Sequence, residues 1–230
     1  MIAATPQHRT TMLKIGPITL TGWSAIVGLV ALLALIVAGI IVSRPSLRML
    51  LSAALWVAFI VYWSAAARTA APAKSAESRE SRRLHTAMLN GAILLLFIPV
   101  PGLRGRFLPL LPLIVAAGLA LQTGAILLAV WARRHLGRNW SGAITETVDH
   151  QLVRSGPYRL VRHPIYSAML GMTVGTTVVS GELHALLALA VMTVAYARKI
   201  PLEERHLRSV FGPVYDEYRR GTWAVLPGLL

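Results

Sequence analysis

The chain has 230 residues, 55% hydrophobic and 14% charged, with a mean hydropathy of +0.60. Soluble domains carry roughly 25% charged residues, so the long charge-free runs here read as an integral membrane protein, not as a large soluble core. The absence of cysteine excludes disulfides, thiolate metal sites and cysteine nucleophiles. The net charge of +14 comes with no zinc-finger or basic-helix pattern that would direct it to nucleic acid; topology and contact with anionic membrane lipids account for it better.

The predicted elements follow from hydropathy. The first span is Ile18–Val42. It is too long for the core of a cleavable signal and reads as a retained helix. The second is Met49–Ala67. A polar segment, Ala70 to Arg83, reads as a flexible connector. The third span, Leu84–Val100, carries His85 and Asn90, and the fourth is Phe107–Ala132. Ile144 to Val148 alternates like a strand but is too brief to assign. The fifth and sixth spans, Pro164–Gly181 and Leu183–Ala197, are joined almost without a loop. The sixth covers only about 22 Å of a ~30 Å hydrocarbon core. The pair therefore reads as a tight helical hairpin, 164–197, that uses flanking residues to complete its span.

Beyond the hairpin, Pro201 is expected to open a separate short helix. Leu207, Val210, Phe211, Val214, Tyr215 and Tyr218 recur at helical spacing along it, Gly212 interrupts it and Gly221 ends it. This reads as an amphipathic tail folded against the hairpin at the membrane interface. The expected fold is all-α: a polytopic membrane protein of about six transmembrane helices with a C-terminal hairpin and an amphipathic cytosolic tail.

Charge orients the set. With the N-terminus inside, all Lys and Arg but Arg44, Arg48, Arg104 and Arg106 fall on the inner face. Basic residues gather on the cytoplasmic side, so both termini are expected there, in an inner or plasma membrane.

Three polar clusters share that face: "RRHLGRNWSG" from Arg133, "HQLVRSGPYRLVRHPIYSAM" from His150, and "KIPLEERHLRSVFGPVYDEYRRG" from Lys199. The hairpin brings the second and third together. Pro164 suits the first turn of a helix, whose free N–H groups are an anion site in waiting. Arginines beside a span are commonly topology anchors, a lone His a cap, a Glu pair a solvated helix start and tyrosines interface anchors. Convergence raises the stakes. The chain has only nine acidic residues, and Glu203 and Glu204 lie where the basic stretch returns. A basic, acidic and aromatic pocket suits a small zwitterionic cofactor carrying an aromatic base.

These motifs resemble the isoprenylcysteine carboxyl methyltransferase and phospholipid methyltransferase superfamily of integral membrane enzymes. The resemblance covers Leu136 to Pro227 and rests on "LGRNW", "HQLVRSGPYRLVRHPIY", "EERHLRSVFGPVYDEYRR" and a closing Pro227. The first four spans carry no comparable signature. The resemblance implies S-adenosylmethionine as cofactor, bound by the hairpin and tail in residues 133–230, and a lipophilic acceptor entering from the bilayer, with residues 1–132 on the acceptor side. It implies Arg162, His163 and Glu203 as catalytic residues. It places Tyr158, His163, Tyr166, Glu203 and Glu204 around the cofactor, with His150, Leu152, Val153, Gly156 and Pro164 shaping the pocket and His135 and Tyr215 as weaker candidates. Glu203 or Glu204 would engage the ribose or amino group, and Arg162 a carboxylate. No metal is implied. A carboxylate acceptor needs no base, whereas an amine or thiol would need one such as His163; the residues do not choose, nor do they give an oligomeric state. "GRNW" and "RHPIY" also fit NAD(P)H-dependent sterol reductases, which are much longer. A non-catalytic membrane scaffold or ligand binder is the third reading. A transporter is disfavoured, because the first four spans hold no Asp, Glu, Lys or Arg.

Overall fold

The computed structural model describes residues 46–67, 77–137 and 152–228, and the backbone of 74–75 and 145–146. The expected first span and His150 lie outside the described residues. The helices are α1 (Leu47–Ala67), α2 (Arg79–Phe97), α3 (Pro112–Leu136), α4 (Pro164–Ser180), α5 (Leu183–Phe211) and α6 (Pro213–Arg220), with a 3-10 turn at Gly156–Arg159. Two short strands, β1 (Lys74–Ser75) and β2 (Thr145–Glu146), pair antiparallel. The alternating segment at 144–148 thus does hold a strand, while the architecture remains helical. Among the described helices, α1, α3 and α5 are long and apolar enough to cross a membrane.

α3 packs chiefly on α4, and α2 on α5. Glycine makes the first contact possible. A Cβ on Gly175 would stand 2.7 Å from the Gly118 carbonyl oxygen, and one on Gly118 would stand 2.8 Å from that of Gly175. Small residues allow such backbone approach in lipid, where no hydrophobic effect drives helices together. A buried polar knot pins α1 to the same pair. Trp56 Nε1 donates to Thr176 Oγ1 at 2.9 Å, Ser52 Oγ donates to Gln122 Oε1 at 2.8 Å, and Gln122 Nε2 donates to the Ser52 carbonyl at 3.0 Å. Leu47, Val61, Leu113, Leu127 and Val194 stand exposed on the outer faces, as lipid-facing side chains do.

The boundaries differ from expectation for local reasons. The third span starts at Arg79, because Ser78 caps it by accepting from the Ser81 N–H at 3.2 Å. The "flexible connector" therefore supplies a helix start. The fourth begins at Pro112, not Phe107: the N–H of Phe107 is held by the Gly181 carbonyl at 2.9 Å, and Leu183 N–H by the Gly105 carbonyl at 2.9 Å. These bonds strap the α2–α3 connection over the turn of the hairpin. Pro201 does not open a new helix; α5 runs through it for 29 residues, about 43 Å. A proline removes one helical hydrogen bond, but the Leu-Glu-Glu-Arg run after it favours helix and its glutamates are anchored across the site. The break comes at Gly212, whose φ of +55° lies in the region that favours glycine.

Candidate active site

The site forms where the start of α4, the far half of α5, α6 and the tail meet. The tail runs beside residues 160–163 like a parallel strand: Arg162 N–H donates to the Trp223 carbonyl at 2.8 Å, His163 N–H to that of Ala224 at 2.9 Å, and Trp223 N–H to that of Leu160 at 3.2 Å. Ser167 Oγ adds a bond to the Val225 carbonyl. This pairing fixes Arg162 and His163 as the chain enters α4.

The two adjacent glutamates diverge, as neighbours on a helix must. Glu204 Oε1 accepts from Arg162 Nε at 2.8 Å and lies 3.4 Å from His163 Nε2, while Glu204 Oε2 lies 3.3 Å from Arg219 Nε. Arg162 Nη1 donates in turn to the carbonyls of Arg219 and Thr222. Glu203 turns the other way. Its Oε2 accepts from the Tyr166 hydroxyl at 2.5 Å and lies 3.7 Å from His163 Nδ1. Its side chain is 30% exposed, against 13% for Glu204, so Glu203 is the more accessible carboxylate.

Aromatic rings line the same wall. His163 stacks on Tyr166 with centroids 5.3 Å apart and planes 4° apart, and Tyr166 stacks on Tyr196 at 4.6 Å. Tyr218 donates to the Tyr158 carbonyl at 2.6 Å, and Arg154 lies over the Tyr218 ring. The hydroxyls of Tyr158 and Tyr215 are buried and have no hydrogen-bond partner among the described residues. Both lie within electrostatic reach of Glu203. Burial pushes the Tyr158 and Tyr215 phenols well above the usual tyrosine range, and the nearby glutamates push them the same way. Burial also raises Tyr218, to about 12. All three are neutral phenols at physiological pH.

Residues 113–214 match the phospholipid methyltransferase family. Protein-S-isoprenylcysteine O-methyltransferase A of Arabidopsis thaliana is 33% identical over 116 residues, 50% of this chain and 56% of that protein. Its B counterpart is 41% identical over 70 residues, 30% and 36% of the two chains. The cobalt-zinc-cadmium resistance protein CzcN of Cupriavidus metallidurans is 40% identical over 97 residues, 41% and 44% of the two chains. The chain thus spans 36% to 56% of the length of these relatives. A solved structure of the eukaryotic intramembrane Ras methyltransferase ICMT aligns over 66% of this chain and 54% of that one, at 21% identity and a TM-score of 0.46. With its apolar helices, the chain is an integral membrane protein.

Most site residues expected from the sequence converge. Arg162, His163, Tyr166, Glu203 and Glu204 form one bonded cluster, Tyr158 and Tyr215 face it, and Pro164 is buried at the start of α4. Leu152 and Val153 are half-buried in the irregular segment ahead of the 3-10 turn. Gly156 packs against His135: a Cβ there would stand 2.4 Å from the His135 ring. At the start of α4 the N–H groups of Tyr166 and Ser167 both bond to the His163 carbonyl at 3.0 Å, so neither is free for an anion. Nor do Arg162 Nε and Nη1 face outward; Glu204 and the tail carbonyls take them.

Sequence reasoning missed Tyr196, Arg219 and the buried Glu77–Lys199 ion pair. Glu77 had one available signal, its rarity as an acidic residue. Tyr196 had none.

Proposed function

We propose that the chain is a membrane methyltransferase that uses S-adenosylmethionine, with residues 133–230 holding the cofactor and residues 1–132 shaping the acceptor's approach from the bilayer. The observation that carries this reading is the partly exposed Glu203 carboxylate set beside two buried tyrosine hydroxyls without partners. Buried polar groups are ordinarily satisfied, and a ligand with ammonium, carboxylate and ribose groups would supply the partners. The residues present therefore fit the cofactor. Glu203 would hold its ammonium or ribose, the Tyr158 and Tyr215 hydroxyls its remaining polar atoms, and the wall of His163, Tyr166 and Tyr196 its flat or cationic parts.

When bound, S-adenosylmethionine supplies a methyl group activated by a sulfonium. The chain's own residues then have two tasks: to align donor with acceptor and to exclude water. Arg162 acts by positioning. It ties Glu204 to the tail, and the tail closes over the start of α4. Both ring nitrogens of His163 already face carboxylates, which favours an acceptor that needs no base. A carboxylate on a lipophilic molecule meets that condition, and the Arabidopsis relatives are named as O-methyltransferases of protein-S-isoprenylcysteine. The clustering of basic residues around the site supports a cytoplasmic placement.

The deciding experiment titrates the detergent-solubilised protein with S-adenosylhomocysteine and, in parallel, with NADPH. Saturable binding of S-adenosylhomocysteine alone is expected. Binding of NADPH alone would overturn the reading in favour of a reductase, and binding of neither would leave a scaffold.

A further inference from the structure

Lys199 and Glu203 stand four residues apart on α5, the spacing at which side chains on one helix meet. Yet the Lys199 ammonium is taken by Glu77, from the segment that leads into α2. Both side chains are buried, 6% and 3% exposed. Glu77 Oε1 also accepts from Ser81 Oγ at 2.8 Å, and Arg198 Nη2 donates to that same Ser81 oxygen at 2.9 Å. α2 and α5 are therefore tied at two adjacent positions. Tyr166, a member of the site, stands near both: its hydroxyl bonds Glu203, and it lies within Coulombic reach of Glu77 as well.

We propose that Glu77 is a positioning residue: it holds the Lys199 ammonium away from Glu203 and so keeps that carboxylate available to Tyr166 and to a bound ligand. A buried lysine that loses its partner is driven to the nearest carboxylate. On α5 that carboxylate is Glu203. The new pair would neutralise Glu203 and compete with the Tyr166 hydroxyl for it. Glu77 lies outside the family segment 113–214, so the N-terminal half contributes to the site through this contact.

The inference rests on the cofactor reading above, but the redirection of Lys199 is a property of the free protein and is measured without ligand. Unfolding of the solubilised full chain is followed for Lys199→Met, Glu203→Gln and the pair, in the natural background and in Glu77→Gln. With Glu77 present the two effects add; with Glu77→Gln they couple, by about threefold or more in the unfolding equilibrium constant. Equal coupling in both backgrounds overturns the proposal. Glu77→Asp, which keeps the charge and shortens its reach, serves in the same way if Glu77→Gln does not fold. In a second arm, Glu77→Gln weakens S-adenosylhomocysteine binding about tenfold and Glu77→Gln/Lys199→Met restores it to within about twofold. A loss that persists in the double variant shows that Glu77 only holds the fold, and also overturns the proposal. If the natural protein binds no S-adenosylhomocysteine, the cofactor reading fails while the unfolding cycle still decides the role of Glu77.

Discussion

Arg162 Nε donates to Glu204 Oε1 at 2.8 Å, and Nη1 of the same guanidinium reaches the carbonyls of Arg219 and Thr222. One buried arginine thus joins the start of α4, the outer half of α5 and the tail. Removing one partner of a buried pair strands the other charge, which costs about 3–5 kcal/mol. Glu204→Gln should destabilise the solubilised protein by that order. Arg162→Met/Glu204→Leu should cost less than Glu204→Gln alone, because no buried charge is left behind; Arg219, which also loses its partner, is 48% exposed. Denaturant unfolding in detergent checks both, and a double variant worse than the single would contradict the argument.

The Tyr166 hydroxyl is the one side-chain hydrogen-bond donor on Glu203, at 2.5 Å, among the described residues. Hydrogen bonds to charged groups contribute about 1.5–3 kcal/mol. Tyr166→Phe keeps the ring stack with His163 and Tyr196 but frees Glu203 to move. Affinity for S-adenosylhomocysteine should fall about tenfold, and the solubilised protein should lose about 1.5–3 kcal/mol of stability. An unaltered affinity would remove Glu203 from the ligand's contacts.

Gly156 has φ +58°, and a Cβ there would meet the His135 ring. Gly156→Ala should cost about 1–2 kcal/mol from the left-handed backbone alone. The His135 ring would also leave its bond to the Trp131 carbonyl. Adding His135→Ala should relieve the contact and leave the backbone cost, so the double variant should remain less stable than His135→Ala. Thermal unfolding of the four proteins resolves the two parts.

Alkaline stability offers a separate check. Burial raises the Tyr218 phenol from 10 to about 12. Above pH 10 the unfolded chain gives up this proton while the folded chain keeps it, so stability declines as pH rises from about 10 to about 12. Tyr158 and Tyr215, raised further, act in the same direction. Tyr218→Phe should flatten the decline over that window. Tyrosinate absorbance, recorded with the unfolding midpoint, tests whether the ionisation and the loss of stability coincide.

Much of this was legible in the chain. Apolar runs mark helices because hydropathy is a local property, and five of the six expected spans correspond to described helices, with ends shifted by Ser78, Pro112 and Gly212. The polar stretch at residues 150–169 and the Glu pair at 203–204 stand out because such residues are costly beside a membrane span. Their meeting follows from the short hairpin between them.

Tertiary structure alone decided the division of labour. Neighbours on a helix point about 100° apart, so which glutamate meets Arg162 and which stays open depends on how α5 is rotated against α4, a packing outcome set by contacts such as Gly118 on Gly175. The Glu77–Lys199 pair joins residues 122 positions apart, and no local pattern marks either as the other's partner. The sequence by itself determined a membrane-embedded helical protein with a polar, rigid mouth, because hydropathy and proline act locally. The fold determined which charges satisfy each other there and which remain for a ligand, because ion pairing depends on distances that only packing sets.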